Sequence, residues 1–152
     1  MIRARWAILV LLGLPTGCGT DDDAGERDGD SGAVDVVDAW TRPSPATVTA
    51  AAVYVTLENV GDTDDEVVAL GSERCVTVVP HRTSFDEGVA SMTALGGALT
   101  VPAGGSIEME PNALHLMCLG IDTPFRAGDE FVLDIEFARQ GLVNARVVVE
   151  DR

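Results

Sequence analysis

Four side chains able to bind a soft metal ion lie in the second half of the chain. The chain contains two His and four Met, and one of those Met is the initiator. Ten residues separate His81 from Met92, and 22 residues separate Met92 from the sequence His115-Leu116-Met117. Both His and two of the three remaining Met therefore fall within one set.

The local geometry expected around these residues would bring them together in pairs. The turn residues Asp86-Glu87-Gly88 lie midway between His81 and Met92, which predicts a hairpin with those two side chains nearly opposite one another. Directly opposed side chains on one face have Cβ atoms about 4.5–5.5 Å apart, close enough to share a metal ion. His115 and Met117 are two residues apart, so on a strand both project from the same face.

The ligand types favour copper over other metals. A thioether is a soft ligand that selects Cu(I), and imidazole accepts copper in either oxidation state. Ca²⁺ and Mg²⁺ prefer oxygen ligands, and zinc sites use Cys, His and carboxylate groups. A single Met in a strand is more often a core residue than a ligand, and we interpret Met109 in that way. The set of four nevertheless predicts a Cu(I) site with two nitrogen and two sulfur ligands.

Short runs of alternating apolar residues predict the strands that must position these ligands. The clearest run extends from Phe131 to Phe137, where apolar residues alternate with Asp134 and Glu136, as in a half-buried strand. The run at 143–149 is its expected partner across the turn at 139–141. The predicted strands are Val34–Trp40, Val48–Glu58, Val67–Leu70, Cys75–Val79, Val89–Leu95, Ser106–Glu110, Leu114–Leu119, Glu130–Ala138 and Leu142–Glu150.

These runs indicate an all-β fold. Many short strands with turn residues at intervals of about 8–12 residues are typical of an antiparallel sandwich or barrel. About 120 residues can bury close to two thirds of their unfolded surface, which is enough for one core. We therefore expect a single β-sandwich domain at residues 33–152, without a sustained helix and without an internal repeat.

The N-terminal segment reads as an export signal followed by a tether. Two Arg precede an apolar run of about nine residues, too short to span a bilayer but typical of a secretory signal at residues 1–17. The sequence Leu14-Pro15-Thr16-Gly17-Cys18 resembles a bacterial lipobox, with Pro15 where that pattern prefers Leu. We expect lipidation of Cys18 and an acidic flexible linker at residues 18–32. The alternative is a plain secretory signal, with Cys18 removed or left as a thiol.

Charge and composition exclude several classes of protein. The chain has 25 Asp and Glu against 10 basic residues, all of them Arg, and a formal net charge of −15. This balance disfavours nucleic acid as a partner, because phosphate binding needs clustered Lys and Arg. A hydrophobic content of 46% excludes wholesale disorder. Outside the signal no apolar run is long enough to span a membrane, so we expect membrane contact only through the lipid.

Two further cysteines remain once Cys18 is set aside. Cys75 and Cys118 form an even pair in an oxidising compartment, so a disulfide that closes a loop of about 43 residues is one expectation. Two separate buried thiols are the alternative. Cys118 follows Met117 directly and should point to the opposite face of its strand, which argues against copper binding by its sulfur.

The four-residue pattern resembles the signature of a known family. His81-x10-Met92-x22-His115-x-Met117 is similar to the copper-binding signature of the PCu(A)C family of periplasmic copper chaperones, commonly written H(M)x10Mx21HxM. The segments at 38–42, 101–105 and 111–117 also resemble its opening strand, its central turn and the approach to its His-x-Met. The chain differs by one residue in the second gap and lacks the optional Met after the first His, where Arg82 and Thr83 stand.

The resemblance implies a fold, a cargo and partners. The fold would be a cupredoxin-like antiparallel β-sandwich of Greek-key type that binds one Cu(I) near its surface through the four signature residues. Members of this family pass copper towards the copper A centre of cytochrome c oxidase subunit II, often alongside a thioredoxin-like assembly protein of the Sco type. This function is ligand exchange in an extracytoplasmic compartment, not enzymatic catalysis.

Two other functions remain open at this point. A surface lipoprotein could use the same ligands to scavenge or sequester copper, and a β-sandwich without a metal could present loops to a partner. A blue-copper electron carrier would need a His₂Cys set with a weak axial Met, which the strand position of Cys118 disfavours. No Ser/His/Asp pattern indicates a hydrolase.

Overall fold

The computed structural model describes residues 33–152, which form ten strands and no helix. The expected signal peptide at 1–17, the lipidated Cys18 and the linker at 18–32 lie outside the described residues. Across 33–152 no helix is long and apolar enough to cross a membrane. The strands are β1 Val34–Thr41, β2 Ala50–Asn59, β3 Asp65–Gly71, β4 Thr77–Asp86, β5 Val89–Ala94, β6 Leu99–Val101, β7 Ser106–Glu108, β8 Leu114–Leu119, β9 Glu130–Phe137 and β10 Gly141–Val149.

All ten strands join one hydrogen-bonded sheet that folds over a common core. Nine of them follow the order β5-β4-β8-β2-β1-β10-β9-β3-β6, and β7 pairs with β2. The pairing of β1 with β10 is parallel, and every other pairing is antiparallel. One hydrophobic cluster includes Leu57 of β2 and Leu116 of β8 together with Leu133 and Phe137 of β9. The expected all-β sandwich is therefore confirmed.

The C-terminal hairpin shows how residue alternation builds this core. Phe131, Leu133, Ile135 and Phe137 are buried along β9, while Glu136 between them is exposed. The run at 143–149 pairs with β9 as predicted, with Ala145 opposite Leu133. Because successive side chains on a strand point to opposite faces, this single register places an apolar layer on the core and leaves a mostly polar layer, with Val132 and Leu142, in solvent.

Two elements differ from the sequence-based expectation. β6, a strand of three residues, is absent from the predicted strands. β4 continues through Pro80 to Asp86, past the predicted strand end at Val79, although Pro is rare inside a paired strand. The N–H and C=O groups of one residue point to the same side of a strand, and the Pro80 carbonyl accepts a bond from the Leu95 N–H at 2.8 Å. The ring nitrogen of Pro80, which has no N–H to donate, therefore faces Leu95, just beyond the end of β5 at Ala94.

A disulfide ties the start of β4 to β8. Cys75, two residues before β4, is bonded to Cys118, and their Cα atoms are 5.3 Å apart. The Cys118 side chain is fully buried on the core face of β8, opposite Val78 of β4. The bond spans 43 residues of sequence, so it restricts the unfolded chain and reinforces the register between these two strands.

We expect the Cys75→Ala/Cys118→Ala variant to be less stable than the parent by about 2–4 kcal/mol, because the unfolded chain regains the entropy of the open loop. Guanidinium chloride unfolding of residues 33–152 measures this difference. The parent unfolded in the presence of dithiothreitol is the control and should lose a similar amount of stability. Equal midpoints for parent, variant and reduced parent would contradict a stabilising bond.

Candidate metal centre

The hairpin of β4 and β5 sets the position of Met92. Glu87 and Gly88 both have positive φ, at 47° and 84°, and form a two-residue turn between Asp86 and Val89. Met92 consequently lies opposite Thr83, and Ala94 lies opposite His81. The expectation that His81 and Met92 are nearly opposite is wrong, because the turn holds two residues and shifts the register along β4.

Met92 nevertheless stays on the same face as His81. Thr83 and His81 are two residues apart on β4, so their side chains project from one face, and so does the side chain opposite Thr83. Residues in this diagonal relation are about 7–8 Å apart, within reach of a long side chain. The unbranched thioether of Met92 can therefore extend towards the His81 ring.

The second pair lies on the neighbouring strand of the same face. His115 of β8 is directly opposite His81 of β4, and the two ring centroids are 6.1 Å apart with an interplanar angle of 21°. Met117 lies opposite Val79, two residues along β8 from His115. The structure thus places the four sequence-predicted ligands on one face of three adjacent strands, β5, β4 and β8.

Both imidazole rings have one nitrogen fixed by a backbone carbonyl. Nδ1 of His81 is 3.1 Å from the Val79 oxygen, and Nδ1 of His115 is 3.0 Å from the Ala113 oxygen. A carbonyl oxygen only accepts a hydrogen bond, so Nδ1 donates in each case and the Nε2 lone pair of each neutral ring is free. A ligating His in a metal site has this arrangement, because the bond at the other nitrogen orients the ring.

The Nε2 atom of His115 has no hydrogen-bond partner within the described part of the chain, although it is buried. Leaving a buried acceptor unpaired costs about 1–3 kcal/mol, and a bound metal ion would remove that cost. His115 itself is 2% exposed on the outward face of the sheet, whereas Met92 is 55% exposed. The candidate site is therefore closed at β8 and open at β5.

An aromatic wall covers His115 on the side away from His81. The Tyr54 ring lies 6.4 Å from the His115 ring, and the Trp40 ring lies 4.5 Å from Tyr54. The guanidinium carbons of Arg42 and Arg152 stand 5.7 and 5.0 Å from the centre of the Trp40 ring. The alternation of residues along β2 is enough to predict that Tyr54 lies on the outward face. Its contacts with Trp40 of β1 and His115 of β8 could not be predicted in this way, because they depend on the order of the strands in the sheet.

Arg152 is held over Trp40 by carboxylates. It forms ion pairs with Asp38 and Glu150, and its carbonyl oxygen accepts bonds from the Arg42 guanidinium. The hydrogen bond with Asp38 raises the pKa of Arg152 above its usual value. These contacts cover Trp40 at the β1 end of the aromatic wall, and Trp40 is only 8% exposed.

The donor set suits a soft cation better than a hard one. No group of three or more His, Cys, Asp or Glu side chains among residues 33–152 could hold a metal ion. The four grouped residues offer two imidazoles and two thioethers, which match Cu(I). Met109 is 3% exposed in the core, as predicted. Cys118 points into the core and is bonded to Cys75, so its sulfur lies on the other face of the sheet.

Comparisons with known proteins agree with this architecture. Residues 34–149 match the family described as "Putative lipoprotein LpqE-like". The chain is 27% identical over 153 residues to "Putative lipoprotein Lxx21020" of Leifsonia xyli subsp. xyli (strain CTCB07). The alignment covers 99% of this chain and 90% of that protein.

Two solved structures share the fold. The copper-bound PCuAC domain from PmoF2 has a TM-score of 0.67 at 20% identity, over 80% of this chain and 96% of that domain. The CuI form of DR1885 from Deinococcus radiodurans has a TM-score of 0.61 at 21% identity, over 84% and 83% of the two chains. These structures confirm the expected cupredoxin-like fold. The chain belongs to the LpqE-like family and has the fold of a PCu(A)C domain.

Proposed function

We propose that this protein is an extracytoplasmic copper chaperone that binds one Cu(I) through His81, Met92, His115 and Met117. The observation that carries the proposal is the convergence of these four side chains on one face of the sheet, with the Nε2 lone pairs of both rings free. Neutral nitrogen and thioether sulfur are the ligands that stabilise copper in its lower oxidation state.

The gradient of exposure across the site suits a protein that must give copper away. Met92 is on the edge strand and more than half exposed, while His115 is buried between Tyr54 and His81. An incoming ligand of an acceptor would replace Met92 first and His115 last. No thiolate has to be displaced at any step, so exchange meets a low barrier. The function is transfer of a bound ion and makes or breaks no covalent bond of a substrate.

The relatives support copper as the cargo. Two proteins with the same fold are described as copper-bound and as a CuI form. The ligand types on the outward face of β5, β4 and β8 give an independent reason to test copper first.

We expect residues 33–152 to bind one equivalent of Cu(I) and the His115→Ala/Met117→Ala variant to bind it far more weakly. Loss of an outer-shell partner alone costs about 10–100-fold in metal affinity, so loss of two ligands should cost more than about 100-fold. The measurement is an anaerobic titration against a chromogenic chelator.

Met109→Leu is the matched control for this titration, because it changes a methionine that is buried in the core. Its affinity should equal that of the parent. Binding that survives the double change, or no competitive binding by the parent, would contradict the copper site and leave a metal-free interaction module as the better interpretation.

The location we propose is the outer side of a membrane, with the chain held by lipid on Cys18 and an acidic linker up to residue 32. The family and the relative from Leifsonia xyli are both described as lipoproteins, which supports this assignment. A tether of this kind would let the copper-binding domain reach membrane-bound partners while remaining in the aqueous phase.

Replacing Cys18 should release the protein from the membrane. We expect the full-length parent to fractionate with membranes and to carry the added mass of a lipid, and Cys18→Ala to lose both properties. Mass spectrometry and membrane fractionation of producing cells measure them, with Thr20→Ala as the control. Membrane association of Cys18→Ala equal to that of the parent would contradict a lipid anchor at this residue.

The acceptor we propose is the copper A centre of cytochrome c oxidase subunit II, reached alongside an assembly protein of the Sco type. Deletion of the gene should then lower oxidase activity, and the parent gene but not the His115→Ala/Met117→Ala variant should restore it. A protein that scavenges or sequesters copper predicts a different outcome, in which oxidase activity is normal and growth in limiting or excess copper changes. Oxidase activity and growth are measured in the same strains.

A further inference from the structure

Charged residues are absent from the parts of the sequence that surround the candidate metal centre. The chain has 25 acidic and 10 basic residues, yet residues 43–57, 88–107 and 111–121 contain no Asp, Glu, Lys or Arg at all. These three segments include most of β2, the whole of β5 and the whole of β8. The fold places β5 and β8 on either side of β4 and β2 beside β8, whereas β6, also within 88–107, pairs with β3 away from the candidate site.

The outward face of these strands is uncharged throughout. On β4 it consists of alternate residues from Thr77 to Phe85, and on β5 of the alternate residues opposite them. It continues over the outward residues of β8 and of the segment Ala50–Tyr54 of β2. We call this surface the uncharged face. Arg82 is the one charged residue of β4 before Asp86, and its position in the alternation places it on the opposite face.

Part of the uncharged face is apolar and open to solvent. Phe85 is 59% exposed and Met92 is 55% exposed, and Ala90 and Ala94 beside them are exposed as well. The far side of the sandwich is different, because Glu130, Asp134 and Glu136 alternate along the outward face of β9. Charge is therefore separated between the two outer faces of the domain.

This separation determines how two copies of the chain can meet. With a net charge of −15, two copies that approach through most of their surfaces bring carboxylates together, and like charges in contact cost several kcal/mol. Two uncharged faces in contact have no such cost, and they gain from burial of exposed Phe and Met side chains. The same contact would also bring two sets of copper ligands face to face.

We propose that the uncharged face docks transiently against the same face of a second copy of this chain, and that Cu(I) passes between the two copies. This inference rests on the proposed function, because it uses the same four ligands. Copper remains Cu(I) throughout. Each bond broken to a sulfur or nitrogen of the donor copy is replaced by a bond to the corresponding atom of the acceptor copy, beginning with Met92 as the most exposed ligand.

The first test follows copper exchange between copies. Copper-loaded residues 33–152 are mixed anaerobically with isotopically labelled apoprotein, and native mass spectrometry records the copper carried by each form. We expect a rate that rises in proportion to the apoprotein concentration. A rate independent of that concentration would mean that copper leaves before the copies meet, and would overturn the proposal.

The second test changes the charge of the face. Ala90→Glu and Ala90→Arg each place a like-charged pair in the docked contact, so exchange of either variant with itself should slow by at least about tenfold. Mixing the Glu variant with the Arg variant replaces repulsion by attraction and should restore the rate. Transfer from each variant to a small neutral chelator should match the parent, because Ala90 is not a ligand.

Ser91→Glu and Ser91→Arg are the matched controls. Ser91 is the next residue of β5, equally exposed but on the opposite face. They should slow exchange by less than about twofold and show no recovery on mixing. Recovery in the Ser91 pair equal to that in the Ala90 pair, or none in the Ala90 pair, would overturn docking through this face.

Other results have separate meanings. Failure of the parent to bind Cu(I) in the chelator titration removes the proposed function itself, whereas tight binding without concentration-dependent exchange removes only the docking. Co-sedimentation of the parent with phosphatidylcholine vesicles, lost in Ala90→Glu and kept in Ser91→Glu, would assign the uncharged face to a lipid surface instead of a second copy.

Discussion

The pairing of β4 with β8 is the constraint on which the candidate site depends. It sets His81 opposite His115 and places Met117 on the same face. A slip of one residue would turn the outward side chains of one strand into the core and expose its core side chains to solvent. The buried disulfide at Cys118 and the core side chains Val78 of β4 and Leu116 of β8 oppose such a slip. The core of the sandwich thus specifies the geometry of a site that lies outside it.

The two histidines have the same local hydrogen bond but different surroundings. Each Nδ1 donates to a carbonyl two residues earlier in the chain, an arrangement available to any His on a strand with the right rotamer. His115 is buried beside Tyr54, which in turn packs against Trp40. His81 lies nearer the edge of the sheet. If copper is bound as we propose, the enclosed imidazole of His115 would hold the ion longest, and the imidazole of His81 would be easier for an acceptor to replace.

Local patterns in the sequence predicted much of this arrangement. The bounds of β8 follow from its apolar run, and the inward faces of β9 and β10 follow from strict alternation, because both depend on neighbouring residues only. The extension of β4 through Pro80 depends on where β5 ends, which no local pattern contains. The position of Met92 depends on Glu87 adopting a positive φ that Gly or Asn adopts more readily. The wall of Trp40 and Tyr54 depends on strand order, a property of the whole chain.

The two sequence intervals between the candidate ligands differ in how strictly the fold fixes their lengths. His81 and Met92 belong to one hairpin, and a single inserted residue there would turn Met92 to the other face. Between Met92 and His115 the chain leaves the site, forms β6 beside β3 and β7 beside β2, and then returns. A residue added in the turn at 102–105 would lengthen this excursion without moving either candidate ligand. Searches for other sequences with this site should hold the first interval and the His-x-Met fixed and leave the second interval free to vary.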